Sequence, residues 1–523
     1  MSSVRGAVAT SSPQAAQVGL RILQSGGNAV DAAVAATAAL GVVEPMMSGI
    51  GGDLFAMLWS GSDRRAQVFD GSGRSARAAS LDALHARGHR SVPVSGRDGV
   101  LSVSVPGAVN AWAEILAERG TITLDAALAP AIDLARRGFP VPREVAASWE
   151  RGVRTLVTPE PASGLLIGGR APRAGDIARL PHLAASLEAI ASGGPDVVYM
   201  GELADRIIEY SSSLGGWLTH DDLREHRGEW TDPISTRYRH IELLECPPNG
   251  QGIAALVAAA ILDGFDPFGV VGTPEWTHLV VEATKLGLGD AFATVGADDG
   301  GEAALACLDP HRIADIRSGI DPVRAVVPVP FVPFGTPRDT AYVAVVDEHG
   351  NGASMISSLF HGFGSGLVVP GTGVILHNRG SLFSMNPHHP SAFRGGARPF
   401  HTIVPAMAQR DGRLWAVFGV VGGFQQAQAH IQVLSRLVDE EFAPQAALDA
   451  PRFNVDVEAG DGVRLEAGTA ETAVALERMG HTVVLASSDE ARFFGGGQLL
   501  TVAASGVVTG GSDSRRDGLV AAW

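Results

Sequence analysis

The sequence predicts an α+β fold, a helix–sheet–sheet–helix sandwich in which helices and mostly antiparallel hairpins share one core. Ala-rich segments that are apolar almost all round indicate helices buried between layers. Runs of β-forming residues separated by short turns indicate hairpins. The chain of 523 residues is 46% hydrophobic and 18% charged, so it can bury the large core that such a sandwich needs.

The N-terminal elements are predicted in the order strand, helix, helix, strand, strand. Ser12-Pro13 has the form of a helix N-cap followed by proline at the first helical position, and Gly26-Gly27 ends that helix. A glycine loop at 49–52 precedes the next strand. The predicted bounds are Gly6–Thr10, Gln14–Gln24, Asn28–Val42, Leu54–Trp59 and Ala66–Asp70.

The middle of the chain is predicted to be mainly helical and to end in a proline-rich connector. Helices are predicted at Leu124–Arg136, Leu183–Ala191 and Thr277–Ala293. Residues 321–338 contain five prolines, a density that forbids helix and favours an extended, exposed segment.

The C-terminal third begins with a predicted β-hairpin. β-Forming residues at Asp339–Asp347 and Gly352–Ser358 flank a short turn. The elements predicted after it are strands at Gly373–Leu376, His401–Ala408 and Leu414–Val421, a helix at Gln426–Leu437, and strands and turns near Gly495–Val502.

Charge and cysteine content exclude several classes of function. The 40 basic and 56 acidic residues leave a net charge of -16, whereas nucleic-acid binding needs a basic surface. Two cysteines, Cys246 and Cys307, are too few for a disulfide framework or a Cys-rich metal site. The N-terminal residues lack the apolar run of a signal peptide, and no window of about 20 residues is continuously apolar. We therefore expect a soluble, cytoplasmic protein that binds neither nucleic acid nor membrane.

Thr340 is a candidate nucleophile because of where it lies. A threonine hydroxyl needs a base, and a threonine at a chain N-terminus can use its own α-amine. Thr340 begins a predicted strand directly after the exposed connector, so cleavage of the Asp339–Thr340 bond would supply both groups. The alternative is an ordinary structural threonine at the start of a strand.

The turn that follows the strand Leu414–Val421 is a candidate oxyanion hole. Gly422 and Gly423 end the strand and open the next helix, so backbone N–H groups would converge there. The alternative is a simple glycine turn.

Other catalytic motifs are incomplete or missing. The glycine loops at 49–52 and 362–366 do not form a full dinucleotide fingerprint, and the sequence has neither a phosphate-binding P-loop nor a G-x-S-x-G elbow. His388, His389 and His401 match no standard zinc spacing. We therefore expect no cofactor and no metal.

Together, the ordered motifs of the whole chain resemble the γ-glutamyltransferase (γ-glutamyltranspeptidase) family of N-terminal-nucleophile hydrolases. The motifs that support this resemblance are Gly26-Gly27-Asn28-Ala29-Val30-Asp31-Ala32-Ala33, the loop 49–52, Val105-Pro106-Gly107, Pro247-Pro248-Asn249-Gly250-Gln251-Gly252, Asp339-Thr340, Asp347-x-x-Gly350-Asn351, Gly364-Ser365-Gly366, Gly422-Gly423 and Ser512-Asp513-x-Arg515-Arg516-Asp517-Gly518.

The resemblance implies a proenzyme with an αββα core that cuts itself before Thr340. The larger chain, 1–339, includes the connector 321–338, and the smaller catalytic chain is 340–523. The two remain together as a heterodimer in one compact domain, possibly as a dimer of heterodimers. By position, Thr340 is the nucleophile, Ser358 supports it in place of the family's threonine, and Gly422 and Gly423 form the oxyanion hole.

The residues that hold a γ-glutamyl group in the family are changed here. The arginine of the family's Arg-Glu-x-Ala-Pro motif is shifted to Arg74, and the acidic residue that binds the α-amino group is Leu382. A serine pair becomes His401-Thr402, and a pocket asparagine becomes Phe360. Losing the ion pair and several hydrogen bonds, each worth roughly 1.5–3 kcal/mol, disfavours a γ-glutamyl substrate.

Two stretches, Gly71-Ser72-Gly73-Arg74-Ser75 and Arg398-Pro399-Phe400-His401-Thr402, resemble more closely the branch that contains glutathione-hydrolase-like proteins and oxamate amidohydrolase. The resemblance therefore implies a cofactor-free hydrolase of a small acid amide. Its candidate substrate contacts are Arg74, Arg379, Arg398, His401 and Thr402. Two alternatives stay open: a γ-glutamyltransferase or glutathione hydrolase, with a role in glutathione metabolism, and a non-catalytic binding relative.

Overall fold

The computed structural model describes residues 1–157, 163–267, 272–296, 301–331, 339–460 and 462–523, and the structural statements below concern these ranges. The connector predicted at 321–338 is described as far as Phe331, without helix, and its residues 332–338 lie outside the described residues. Asp339 is described through its backbone, which begins a strand.

The described helices are α1 Pro13–Gln24, α2 Ala29–Val43, α3 Leu81–Ala86, α4 Ala108–Arg119, α5 Leu124–Arg137, α6 Arg143–Gly152, α7 Pro181–Gly193, α8 Asp196–Tyr199, α9 Glu202–Ser213, α10 His220–Arg224, α11 Gly252–Leu262, α12 Pro274–Thr294, α13 Glu302–Ala306, α14 Pro310–Ser318, α15 Gln425–Val438, α16 Pro444–Asp449 and α17 Ala470–Arg478. None of them combines the length and apolar character needed to cross a membrane.

The described strands are β1 Ser2–Ser3, β2 Gly6–Thr10, β3 Asp53–Ser60, β4 Arg65–Asp70, β5 Phe139–Pro140, β6 Ile177–Ala178, β7 Glu229–Thr231, β8 Ile234–Tyr238, β9 Ile241–Glu245, β10 Asp339–Asp347, β11 Gly352–Phe360, β12 Leu367–Val368, β13 Ile375–Leu376, β14 Ala406–Arg410, β15 Arg413–Val421, β16 Phe453–Val455, β17 Val463–Leu465, β18 Val483–Leu485, β19 Gly496–Val502, β20 Val508–Ser512 and β21 Leu519–Ala522.

Two seven-stranded sheets form the centre of the molecule. The front sheet has the order β21-β2-β10-β11-β3-β4-β7, and the back sheet has the order β1-β20-β19-β15-β14-β9-β8. Residues on both sides of the Asp339–Thr340 bond contribute strands to both sheets. β10 and β11 are central strands of the front sheet and pair antiparallel as the predicted hairpin.

Helices cover the outer face of each sheet. α1 and α2 pack on the front sheet, while α11 and α15 pack on the back sheet. α2 is buried along its whole length, as its all-round apolar surface predicts, and Asn28 and Asp31 form a capping box at its start. This arrangement confirms the helix–sheet–sheet–helix sandwich.

Side-chain alternation along β10 separates the two sides of the front sheet. Ala341, Val343 and Val345 belong to the core shared with the helices. Tyr342 and Ala344 belong to the core between the two sheets. Thr340 contacts Ser358 on β11, and Ser358 shares its strand face with Ile356 of the same inter-sheet core, so Thr340 also lies toward the back sheet.

Two differences between the predicted elements and the structure bear on the site and on the back sheet. The predicted strand His401–Ala408 is instead β14 at Ala406–Arg410, because the backbone at His401 pairs locally with the 249–251 loop: His401 N donates to Asn249 O at 2.8 Å, and Gln251 N donates to His401 O at 3.0 Å. The strands β8 and β9 lie in a stretch that the sequence indicated to be mainly helical.

Candidate active site

Thr340 lies buried at the start of β10, with 4% of its surface exposed. The pairing of β10 with β11 is irregular there: Asp339 pairs with Phe360 and Ala341 with Ser357, so Ser358 and Leu359 of β11 form a bulge opposite Thr340. Bulges re-aim a side chain and are common next to active sites. The Thr340 hydroxyl donates to Ser358 Oγ on β11 at 3.4 Å, and Ser358 Oγ also accepts from the backbone N–H of Phe360 at 2.8 Å.

A buried carboxylate extends this row of polar side chains. Asp53, the first residue of β3, is the register partner of Ser358, so Thr340, Ser358 and Asp53 lie on three neighbouring strands. Asp53 Oδ1 accepts from the backbone N–H of Gly73 at 3.1 Å. Asp53 Oδ2 has no hydrogen-bond partner among the described residues.

The glycine turn lies between β15 and α15. Gly422 and Gly423 have φ values of 135° and 63°, which favour glycine, and a Cβ on Gly422 would lie 3.1 Å from the Cα of Gly495. The turn ends at the N-terminus of α15, where the N–H groups of Gln425 and Gln426 donate to Gly422 O and Gly423 O at 3.1 and 3.2 Å, so the positive end of the helix dipole lies at the glycine pair. The local geometry therefore suits the binding of a negatively charged oxygen.

The packing of β10 on β15 orients Thr340 toward this turn. The Tyr342 ring lies so close to β15 that a Cβ on Gly419 would be only 2.5 Å from it. Gly419 precedes Gly422 by three residues, and Tyr342 shares a strand face with Thr340. Gly352, the register partner of Val346, lies against Leu414 and Val417, so β10 and β15 run in opposite directions and Thr340 lies toward the end of β15 from which the glycine turn begins.

The Gln251 side chain fixes the glycine turn from the opposite side. Its Nε2 donates to Gly423 O at 2.9 Å and to Thr402 O at 2.7 Å. These bonds join the 249–251 loop, the residues around Thr402 and the turn. Gln251 is fully buried, so these two bonds are shielded from water.

Arg379, His401 and Thr402, three of the predicted substrate contacts, come together in one buried cluster with Asp53 and His377. Arg379 Nη1 donates to Thr402 Oγ1 at 3.0 Å. Asp53 Oδ2 lies 3.6 Å from His377 Nδ1 and 3.7 Å from His401 Nε2. We call these five residues the polar cluster.

Several polar atoms of the cluster have no hydrogen-bond partner among the described residues. They are both ring nitrogens of His401, Oδ2 of Asp53, and Nε and Nη2 of Arg379. An unsatisfied buried polar group is costly, which makes such a group a candidate for binding water or a polar ligand.

Burial determines the charge of this cluster. It lowers the pKa of His401 well below its ordinary value, and the nearby Arg379 guanidinium lowers it further. Burial also lowers the pKa of His377, against the opposing effect of Asp53. The pKa of Arg379 falls to about 10 through burial, partly offset by Asp53, so Arg379 remains a cation at neutral pH. The cluster offers a positive donor beside neutral imidazoles.

Arg74 and Arg398, the other predicted substrate contacts, form a neighbouring ion-pair network. Both guanidinium groups bind Glu229, Arg74 Nη2 at 3.1 Å and Arg398 Nη1 at 2.9 Å. Arg398 also donates to the backbone carbonyl of Ser72 at 3.1 Å. Their role as substrate contacts stays a prediction.

A cavity of about 500 Å³ lies beside these elements. It is lined by Phe360 and Phe424. Phe360 lies two residues after Ser358, and Phe424 directly follows Gly423. Leu382 lies in the same wall. Two of the positions at which the sequence departs from the γ-glutamyl pattern, Phe360 and Leu382, are therefore wall residues of one cavity.

One group of described side chains has the composition of a metal site, namely His278, Glu282 and His481. The Lys285 ammonium donates to Glu282 Oε1 at 2.9 Å and lies 3.2 Å from His481 Nδ1. Glu282 Oε2 accepts from the backbone N–H groups of Val326 and Val327. A lysine already supplies the positive charge there, and the group anchors the start of the connector.

Sequence inspection missed Gln251, Asp53 and His377 as site residues. Gln251 and Asp53 belonged to recognised motif regions, the loop 247–252 and the end of the glycine loop, but their contacts are with residues far along the chain. His377 follows the short strand β13 and has no local motif. Among the described residues, only three-dimensional proximity identifies it.

A family model described as Gamma-glutamyltranspeptidase matches residues 15–523. The chain belongs to the gamma-glutamyltranspeptidase family. One relative of this family member is a glutathione hydrolase-like YwrD proenzyme of Bacillus subtilis. The two are 35% identical, with 96% of each chain covered. Another is an oxamate amidohydrolase proenzyme of Klebsiella pneumoniae, 33% identical with 97% of each chain covered.

Solved structures of the gamma-glutamyltranspeptidase family agree with the fold. A cephalosporin acylase from Bacillus halodurans superposes with a TM-score of 0.92 at 38% identity, covering 100% of this chain and 96% of that one. These matches confirm the N-terminal-nucleophile αββα fold and the prediction of an amidohydrolase or acyltransferase. The relatives are named as proenzymes, which supports a self-processing precursor.

Proposed function

We propose that the protein is a self-processing amide hydrolase with Thr340 as its N-terminal nucleophile. The observation that supports this most directly is the hydroxyl pair of Thr340 and Ser358 on a buried bulge that faces the glycine turn. A nucleophile, its polar support and an anion-binding turn are the parts that acyl transfer needs.

In maturation, Thr340 Oγ attacks the carbonyl carbon of Asp339, and the peptide nitrogen leaves as the α-amine of Thr340. Water then hydrolyses the resulting ester. The products are a chain 1–339 that ends in a carboxylate and a chain 340–523 that begins with a free amine. The two chains stay together as a heterodimer because both contribute strands to both sheets.

In catalysis, the new α-amine accepts the hydroxyl proton while Thr340 Oγ attacks the substrate amide. The N–H groups of the turn at Gly422 and Gly423 stabilise the oxyanion. The protonated α-amine of Thr340 passes its proton to the nitrogen of the substrate amide, which then leaves as an amine. Water hydrolyses the acyl-enzyme and releases the acid. No step requires a cofactor.

The substrate we propose is a small acid amide, as in the oxamate-type branch. Arg379, with two unpartnered N–H donors among the described residues, and the adjacent Thr402 would bind its carboxylate, with His401 beside them. A γ-glutamyl amide is the second candidate. Leu382 in the cavity wall argues against it, because an aliphatic side chain cannot pair with an ammonium group, and the Phe360 ring is already occupied by the Arg379 guanidinium.

The intact mass of the purified protein under denaturing conditions tests the maturation step. We expect two chains, with the smaller one beginning Thr340-Ala341-Tyr342, and a single chain of 54.1 kDa for Thr340→Ala. The conservative variant Thr340→Ser should still be cut. A wild-type protein that stays intact would reject the proposal and favour the non-catalytic binding protein.

Turnover of oxamate against a γ-glutamyl anilide tests the substrate class. We expect hydrolysis of oxamate, and Arg379→Met should raise its KM by about tenfold or more because a charged hydrogen bond is lost. Turnover of the anilide alone would assign the second candidate. A cytoplasmic location and a dimer of heterodimers are also proposed, and fractionation and light scattering would test them.

A further inference from the structure

The 500 Å³ cavity is lined by an aromatic wall, which we define as Phe292, Phe360, Phe383, Phe400 and Phe424. A cavity of roughly 300–1,000 Å³ suits a drug-sized ligand and is far larger than a three-carbon acid amide requires. The size and lining of the cavity therefore call for a second, apolar portion of the substrate.

Three of the wall residues form a mutually packed unit. The ring centroids of Phe292 and Phe424 are 5.4 Å apart at an interplanar angle of 89°, and those of Phe292 and Phe400 are 6.0 Å apart. Phe400 and Phe424 are 6.3 Å apart. Edge-to-face and tilted pairs at these distances are favourable, so the three rings form a fixed surface that can accept a further ring.

The wall approaches the reacting groups from two sides. Phe424 directly follows Gly423 of the glycine turn. Phe360 is the register partner of Asp339, the residue before Thr340, and its backbone N–H donates to Ser358 Oγ. The wall therefore begins one residue after the glycine turn and two residues after Ser358.

Phe360 is held in an unfavourable backbone conformation. Its φ of 77° is rare for a residue with a Cβ, and such strain is typical of functional sites. Its ring is stacked on the Arg379 guanidinium, 4.4 Å from the ring centroid. This stacking links the aromatic wall to the cation of the polar cluster.

From this arrangement we infer that the wall is a specificity subsite for an aromatic ring on the substrate. The inference rests on the proposed function and deepens it: the preferred substrate is an acid amide that carries an aryl or aralkyl substituent. The carboxylate binds at Arg379 and the ring binds at the wall.

A matched set of ligands tests this on the processed, full-length protein. Titration calorimetry compares malonate with benzylmalonate, and steady-state kinetics compares malonamate with 2-benzylmalonamate and N-benzylmalonamate. We expect the benzyl group to raise affinity or kcat/KM by about tenfold or more, the range that an apolar pocket gives. A gain with benzylmalonate places the ring on the acyl side, and a gain with N-benzylmalonamate alone places it on the amine side.

Two variants, one in the aromatic wall and one at the neighbouring cavity residue Leu382, and one control attribute the effect to the cavity. Phe292→Ala should abolish most of the increase in affinity or kcat/KM that the benzyl group gives. Leu382→Asn should have the same effect, although the two side chains are similar in volume. Phe393→Ala is the control, because Phe393 packs on Phe383 but does not line the cavity.

Equal affinity and equal turnover with and without the benzyl group would overturn the subsite. Absence of turnover of every amide, in a protein that still binds benzylmalonate more tightly than malonate, would instead reject the proposed hydrolase and leave the subsite standing.

Discussion

Gln251 donates a hydrogen bond to the carbonyl oxygen of Gly423 at 2.9 Å, although the two residues are 172 positions apart. The same amide nitrogen donates to Thr402 O at 2.7 Å. A single buried side chain thus sets the distance between the glycine turn and the polar cluster. Preorganised donors act only when they are held in place, so Gln251 is expected to be a positioning residue for the oxyanion hole.

We predict that Gln251→Glu lowers kcat by about 10- to 100-fold with little change in KM, because two donated bonds are lost and the turn shifts. Gln426→Glu is the matched control. Gln426 is also a buried glutamine, and its Oε1 accepts from Val404 N at 3.1 Å while its Nε2 donates no hydrogen bond among the described residues. Equal losses in both variants would show that a buried acid, not the turn, causes the effect.

Ser358→Ala is predicted to slow both self-cleavage and turnover by about 10- to 100-fold. The variant removes the oxygen that accepts from Thr340 and from the N–H of Phe360, and a buried donor left unsatisfied costs about 1–3 kcal/mol. Ser358→Thr keeps the hydroxyl and should restore most of the rate. The measurement is the time course of chain cleavage by denaturing gel, followed by kcat.

Ser357→Ala provides the control for that experiment. Ser357 is buried next in the chain, points to the opposite face of β11, and its Oγ has no hydrogen-bond partner among the described residues. Its loss should leave cleavage unchanged. Slow cleavage in this variant would show that general packing of β11 limits maturation.

The parts of the site that the sequence predicted are those with local signals. Thr340 stands at the junction of a proline-rich segment and an alternating strand, and the glycine pair stands at the junction of a strand and a helix. In the structure β10 begins at Asp339, beside Thr340, and α15 begins at Gln425, two residues after the glycine pair. Local patterns of alternation and turn chemistry are sufficient for such positions.

The parts that the sequence did not predict depend on distant contacts. Gln251 contacts Thr402 and Gly423, and His377 contacts Asp53. Each of these contacts joins chain segments that share no local pattern. The displaced strand at 401–408 has the same cause, because Asn249 and Gln251 take up the backbone groups of His401 that a strand would use. β-Forming residues at 401–405 could not reveal this competition.

Stability is predicted to depend on the buried ion pair of Arg452 and Asp513. Arg452 Nη2 lies 2.6 Å from Asp513 Oδ2, and neither side chain is exposed. Asp513 Oδ2 also accepts from the N–H of Gly497 on β19, beside the strand that leads to the glycine turn. The pair therefore joins the C-terminal residues to the back sheet.

Asp513→Asn should lower the free energy of unfolding by about 3–5 kcal/mol, because it leaves the guanidinium buried without its carboxylate. Arg206→Gln is the control, since it removes an exposed pair with Glu202 worth about 0.3–0.5 kcal/mol. Urea denaturation measures both. A loss in Asp513→Asn no larger than in the control would mean that water enters and solvates Arg452.

Protonation of His226 is predicted to contribute to the loss of stability at low pH. Burial, with the neighbouring guanidinium groups of Arg398, Arg227 and Arg74, lowers the pKa of His226 from 6.5 to about 3. The imidazole is stacked on Tyr199 at 5.4 Å. It stays neutral in the folded protein at a pH where the unfolded chain already binds a proton.

As the pH falls from about 6.5 toward 3, His226 therefore binds a proton in the unfolded state but not in the folded state. The folded state loses stability over that pH range, by at most about 1.4 kcal/mol per pH unit for His226. His226→Phe keeps a buried ring without a titrating nitrogen, so its stability should fall less steeply between pH 6.5 and 4.5, by about 2 kcal/mol in total. His388→Gln, at an exposed position, should follow the wild-type curve. Urea denaturation at several pH values makes the comparison, and parallel curves for wild type and His226→Phe would contradict a neutral, buried His226.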